Sequence, residues 1–209
     1  MRNTSTVEPL HLRACLSRFV TGVVVVTYRG EGEMRGLTVN SFTSVSLEPP
    51  LVLVSVARSA RAAGHLGRVP FSVNVLGASQ LDVALHFAGR PRDPVVVAWQ
   101  STGDDLAPTL AGALATFRCR PWQSYDGGDH RLHLGHVMEA DAQDDGEPLL
   151  FDRGRFSDVG AGVGAGVGVG SADVRAARAP GRQQRARPAL DTQRRRASAT
   201  RGAIRCRAN

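Results

Sequence analysis

The run Val23-Val24-Val25-Val26 constrains the fold more than any other feature of the chain. Four β-branched side chains in a row favour extended backbone, and a short apolar run without alternation is the pattern of a buried strand. Gly22 can end the segment before it, and the cluster Gly30-Glu31-Gly32-Glu33 is a turn. Residues 23–29 and 34–40 are therefore expected as an antiparallel hairpin. Further β runs follow at 51–56, 71–76, 95–99, 113–120, 131–140 and 148–151. Phe71, Val73 and Val75 alternate with Ser72 and Asn74, the period of a strand. Helices are expected over 8–20, where Leu12, Cys15, Leu16 and Phe19 share a face, over a short stretch ending at Leu66, and over 79–88. Many short strands with few helices predict a mainly β chain: a small barrel with helical decorations, not a Rossmann series.

The 209 residues split by character near residue 160. Residues 1–160 carry 15 arginines against 17 acidic residues, whereas 161–209 carry 11 arginines against two aspartates. The basic pI therefore belongs to the tail, which argues against a nucleic-acid partner for the body. The tail opens on the glycine-rich stretch Gly160–Gly170 and continues in Ala, Arg, Pro and Gln. Such a segment buries too little apolar surface to offset its ordering entropy and is expected to be disordered. It reads as a flexible basic arm, an inert extension or an out-of-frame translation of a GC-rich gene. The abrupt loss of β pattern favours the last, and the absence of lysine, with Ile204 the sole isoleucine, fits a GC-rich source. Domains are thus expected at 1–160 and 161–209. Cys15, Cys119 and Cys206 are odd in number and far apart, with no CxxC, which argues against a disulfide framework or a zinc site and fits a cytoplasmic setting. No segment reads as a signal peptide or a membrane span.

The stretch from Thr38 to Val56 carries the densest chemistry. Its first part, Thr38-Val39-Asn40-Ser41-Phe42-Thr43-Ser44, is rich in hydroxyls. Small hydroxyls and open backbone N–H groups suit a flat polar ligand held by many weak hydrogen bonds; a plain Ser/Thr loop before a core strand has the same composition. Pro49-Pro50 marks where pairing ends, and Leu51–Val56 is a buried strand. Arg58-Ser59 follows it directly. A guanidinium beside a hydroxyl at a strand end can hold a phosphate without a P-loop, and it can equally be a solvated basic turn. His130, His133 and His136 invite a metal reading. The segment alternates as a strand, so positions three apart face opposite ways, and no metal site is expected. His130 follows the turn Gly127-Gly128-Asp129, which can present it at the start of a strand. The chain has no GxGxxG, Walker A or GxSxG motif, and nothing pairs Ser41, Ser44 or Ser46 with a histidine and an acid.

Four ordered blocks resemble one family. Phe19–Thr27, Gly36–Phe42, Ser44–Val52, and Gly128-Asp129-His130 with Gly135 and Val137 are similar to the flavin reductases with an FMN-binding split β-barrel, the short-chain NAD(P)H:flavin oxidoreductases that serve two-component monooxygenases. The similarity runs over about residues 8–158. It implies a Greek-key split barrel and a homodimer with flavin, FMN or FAD, near the subunit interface. It implies that Thr38, Val39, Asn40, Ser41, Phe42 and Ser44 contact the isoalloxazine and ribityl groups, largely through backbone amides. Ser55, Arg58 and Ser59 would lie toward the ribityl phosphate. Arg61 stands where the family often carries another hydroxyl. Phe87 would pack near the flavin, His130 would lie on the nicotinamide side, and Arg155-Phe156 matches a basic-aromatic piece that helps cover that side.

The residue chemistry agrees with this resemblance. Hydride transfer from NADH or NADPH to a flavin needs no side-chain nucleophile. It needs two rings stacked with reacting atoms ~3–3.5 Å apart, so most of the catalysis is positioning. His130 then orients the cofactor or balances charge. The expected function is reduction of FMN or FAD for a separate monooxygenase. A flavin-holding electron carrier on the same barrel, and polyanion binding through the arginine-rich tail, are the alternatives.

Overall fold

The structure, a computed structural model, describes residues 7–100, 103–159 and 167–168. The chain divides into Met1–Arg178 and Ala179–Asn209, and the second unit lies outside the described residues. In chain order the elements are α1 (Pro9–Leu16), β1 (Thr21–Gly22), β2 (Val24–Gly30), β3 (Glu33–Val39), β4 (Thr43–Leu47), β5 (Pro50–Ala57), β6 (Phe71–Val75), α2 (Leu81–Phe87), β7 (Trp99–Gln100), β8 (Thr109–Leu110), β9 (Ala115–Gly127), β10 (His130–Ala142), β11 (Leu150–Asp152), β12 (Arg155–Ser157) and β13 (Val167–Gly168). Short 3-10 turns occupy Arg61–Gly64 and Ala78–Gln80.

Seven strands form one antiparallel sheet in the order β3-β2-β6-β9-β10-β5-β4. It curls until its two ends approach. Val24, Val26 and Tyr28 of β2 share one core with Val52, Val54 and Val56 of β5, with Phe71, Val73 and Cys119 between them. The edges β3 and β4 do not pair with each other, so the barrel stays split along that seam. A smaller sheet joins β1, β11, β12 and β13.

Both faces of β2 are covered, which is why its sequence does not alternate. Val23 and Val25 point away from the barrel into a second core with Leu76, Leu85, Leu110, Leu149 and Phe156, beneath α2. The same double burial applies to β6. Ser72 and Asn74 alternate with apolar residues, yet both are fully buried. The segment before and through β8 lies over them, and its backbone provides their partners. Ser72 Oγ donates to Ala107 O at 3.0 Å, Thr27 Oγ1 donates to Pro108 O, and Asn74 Oδ1 accepts from Leu110 N at 2.8 Å. Arg118, buried on β9, pairs with Asp104 and Glu139 and holds the same segment.

Four expectations are corrected. The first helix ends at Leu16, four residues early, where Ser17 Oγ bonds Ala14 O; none of its residues is buried, and Phe19 beyond it is 78% exposed. Thr43–Leu47, read as part of a hydroxyl-rich loop, is an edge strand that pairs with β5. The double proline is the turn between them: Glu48-Pro49 is a cis peptide and Pro50 already pairs with Leu47. Proline is tolerated there because Pro50 is the first residue of β5, whose ladder to β10 begins only at Leu51. Residues 95–98 form no strand, and only Trp99-Gln100 pairs, with β8. In the tail, Val167-Gly168 pairs with β12. The other tail expectations, on disorder and reading frame, lie outside the described residues.

Candidate flavin site at the barrel seam

The split barrel sets where the hydroxyl-rich stretch lies. Thr38 and Val39 end β3, Thr43 and Ser44 begin β4, and Asn40-Ser41-Phe42 bridges the open seam between the two sheet edges. The ladders of β3 and β4 include none of these three residues. Two of its own side chains, Ser41 and Phe42, and the nearby Thr38 hold the bridge in place. Thr38 Oγ1 donates to Ala84 O of α2 at 2.7 Å. Ser41 Oγ donates to Ser55 O at 2.6 Å and accepts from Ser55 N at 3.1 Å, which ties the bridge to β5. The Phe42 ring turns inward against Phe117, 5.5 Å between centroids. The hydroxyls therefore act on the protein, and the bridge offers a ligand its backbone and Asn40. A fixed strand-to-strand bridge with N–H groups outside the ladders is the donor set that the rim of a flat, polar heterocycle requires, so these residues fit a flavin.

Continuing along β5, Ser55 leads to Ala57, and Arg58 and Ser59 follow the strand end. His130 opens β10 and stands opposite both Ala57 and Gly127 in register. The turn before it depends on Gly128, whose φ of +78° favours glycine. Arg58 is bound to this turn. Its Nε donates to Gly128 O at 2.6 Å, its Nη2 pairs with Asp126 Oδ2, and its backbone N donates to Asp129 O at 2.9 Å. His130 Nδ1 lies 2.7 Å from Asp129 Oδ1. The Gly128 N–H, and then Arg58, hold the Asp126 carboxyl below its ordinary range; His130 does the same for Asp129.

The structure thus gathers Ser41, Ser55, Arg58, Ser59 and His130 along one strand end. Thr38 and Phe87 form a second group where α2 packs on β3. The Phe87 ring lies on Gly36, where an added Cβ would meet it at 2.5 Å, and it meets Trp99 edge-on at 5.8 Å. Arg155 is on β12 of the small sheet rather than on the barrel strands. Sequence reading missed Asp126. Its signal was the Asp-Gly-Gly-Asp turn, in which Asp126 Oδ1 accepts from Gly128 N at 2.9 Å as an Asx turn does. Its bond to Arg58, 68 residues away, has no local signature.

The histidines separate as strand alternation requires. His130 and His136 are half-buried, while His133 faces the barrel interior at 1% exposure, its Nδ1 2.9 Å from Ser124 Oγ. Burial, with Arg131 adding to it, lowers the His133 pKa. The native state therefore holds a neutral imidazole that the unfolded chain protonates below about pH 6.5. Its contribution to stability is complete above that pH and is lost as the pH falls through it toward the depressed native value. Urea titrations at a series of pH values are expected to show this slope, and His133→Phe is expected to abolish it. Asp126 and Asp129, with lowered values, titrate only at more acidic pH.

Comparison with known proteins gives a consistent result. The family described as flavin reductase like domain matches residues 16–160. The NADH-dependent FAD reductase of Streptomyces globisporus is 44% identical over 155 residues, 71% of this chain and 85% of that protein. The reductase component of 4-hydroxyphenylacetate 3-monooxygenase from Thermus thermophilus is 40% identical over 144 residues, 68% of this chain and 91% of that protein. The solved Streptomyces globisporus NADH:FAD oxidoreductase, in complex with NAD and FAD fragments, superposes with a TM-score of 0.64 at 42% identity, covering 72% of this chain and 92% of that one.

Proposed function

The chain belongs to the flavin reductase like domain family, and from that membership we propose that it oxidises NADH, reduces FMN or FAD and supplies the reduced flavin to a separate monooxygenase. The observation that carries this is the Asn40–Phe42 bridge, whose backbone is free of the ladders and fixed by Ser41, Thr38 and Phe42. Bound flavin supplies the hydride acceptor and the outlet for reducing equivalents. The protein supplies position. Backbone N–H groups at 40–42 would hold the rim of the flavin ring, and as fixed donors they would favour negative charge there at no reorganisation cost. Ser59 and the guanidinium of Arg58 receive the phosphate end. His130 lies where β10 begins and orients the nicotinamide. Asp129 fixes the imidazole through Nδ1, leaving Nε2 for the ligand. Among the described residues no helix is long and apolar enough to cross a membrane. Cys15 and Cys119 are unpaired, which supports a cytoplasmic setting. Burial pushes the Cys119 thiol up to about 12, so it stays inert.

We infer a homodimer through the β4-β5-β10-β9 half of the sheet. Three bulges support this. The register skips Val45 in β4, Trp122 in β9 and Met138 in β10, and all three apolar side chains are exposed. Leu47, at the end of β4, is 95% exposed. Val45→Asp and Met138→Asp are each expected to weaken self-association by about 1.5–3 kcal/mol, roughly 10–150-fold in dimer Kd. Light scattering across a dilution series measures this, and unchanged dissociation in both variants places the interface elsewhere.

The function is tested by steady-state NADH oxidation with and without added FMN or FAD. Flavin-dependent turnover is expected. A folded chain that binds no flavin and oxidises neither NADH nor NADPH overturns the proposal.

A further inference from the structure

The contacts of Arg58 raise a question that flavin binding does not answer. Arg58 is 38% exposed and its partner Asp126 is 77% exposed. An ion pair this open to solvent contributes little to stability. Yet Arg58 meets the 126–129 turn three times: through its backbone N at Asp129 O, through Nε at Gly128 O and through Nη2 at Asp126. Asp126 adds a fourth bond within the turn, through Gly128 N. Four bonds converge on a turn of glycines, Gly127-Gly128, which has little stiffness of its own. The residue that leaves this turn is His130, and its ring is fixed by Asp129 of the same turn.

We propose that Arg58 and Asp126 form a latch that sets the position of His130, so that Asp126 is a positioning residue for hydride transfer. The inference rests on the reading of His130 as the nicotinamide-side residue. Asp126 acts without touching either cofactor. It stiffens the turn and holds the planar Arg58 fork across it. Lysine cannot replace that fork, because a single ammonium cannot span Gly128 O and the Asp126 carboxylate together with the same geometry.

The test is a double-mutant cycle on the full chain with NADH and FMN. Asp126→Asn keeps the size and the Oδ1 acceptor for Gly128 but removes the charge that holds Arg58. It is expected to raise the KM for NADH about 3–10-fold while the Kd for FMN changes less than about twofold, because Arg58 remains available to the phosphate. Arg58→Lys is expected to raise the KM for NADH in the same way. In the His130→Ala background, Asp126→Asn is expected to add almost nothing. Full additivity of the two substitutions overturns the latch, as does an unchanged KM in Asp126→Asn. Equal loss of FMN and NADH affinity in Asp126→Asn also overturns it, since that marks general loosening. If His130→Ala itself leaves the KM for NADH unchanged, the placement of His130 fails, and the latch fails with it. If His130→Ala raises the KM while Asp126→Asn does not, the latch alone fails.

Discussion

Replacing Asn74 by alanine is expected to destabilise the chain by about 3 kcal/mol, a large share of the roughly 5–15 kcal/mol that holds a typical domain folded. The side chain is fully buried on β6 and makes three bonds: Nδ2 donates to Val25 O at 2.8 Å and to Thr27 Oγ1 at 3.1 Å, and Oδ1 accepts from Leu110 N at 2.8 Å. Alanine leaves the Leu110 N–H without its acceptor where water does not reach. Each buried group left unpaired costs about 1–3 kcal/mol, and the vacated volume adds to that. Ser72→Ala, which removes one bond to Ala107 O, is expected to cost about 1 kcal/mol. Urea unfolding followed by tryptophan fluorescence reports both, since Trp99 lies on the strand paired with β8. A loss below about 1 kcal/mol for Asn74→Ala contradicts the account of β6 as a polar clasp for the segment above it.

Arg58→Ala is the functional counterpart. It is expected to weaken FMN binding by about 1.5–3 kcal/mol, roughly 10–150-fold, the cost of a hydrogen bond to a charged group. Riboflavin, which has no phosphate, separates the two roles of this residue. If Arg58 receives the phosphate, FMN affinity falls while riboflavin affinity changes by less than about twofold. The KM for NADH rises in the same variant through the released turn. Equal losses for FMN and riboflavin restrict Arg58 to the turn, and no loss for FMN removes it from the phosphate site. Fluorescence quenching titrations of the two flavins make the comparison.

Features governed by short-range periodicity were legible in the sequence. The four valines of β2 and the residue before it, the hairpin to β3 and the alternation of His130, His133 and His136 follow from the local pattern of a strand. The seam stretch was legible too, but its side chains were assigned a different task. Ser41 and Thr38 have hydroxyls suited to a ligand, yet both are taken by Ser55 and Ala84 of the protein itself. Thr43–Leu47 did not read as a strand because its hydroxyls suit a loop; it pairs because β5 offers an open edge. Residues 95–98 carry three valines, and Val96 is 95% exposed, because propensity without a neighbouring strand gives no ladder. Ser72 and Asn74 look solvent-facing by pattern and become buried only once a distant segment covers them. The bond from Arg58 to Asp126 is a product of the β5–β10–β9 pairing, and no window of the sequence contains both residues.

The proposed reaction is hydride transfer from NADH to a flavin held at the barrel seam. The most direct measurement mixes the full chain, FMN or FAD, and NADH without oxygen and follows the visible absorbance of the flavin. Bleaching is expected in which one NADH is consumed for each flavin reduced by two electrons, at a rate that depends on the protein. A flavin that binds tightly to the folded chain and keeps its absorbance in the presence of both NADH and NADPH contradicts it, and marks the protein as a carrier rather than a reductase.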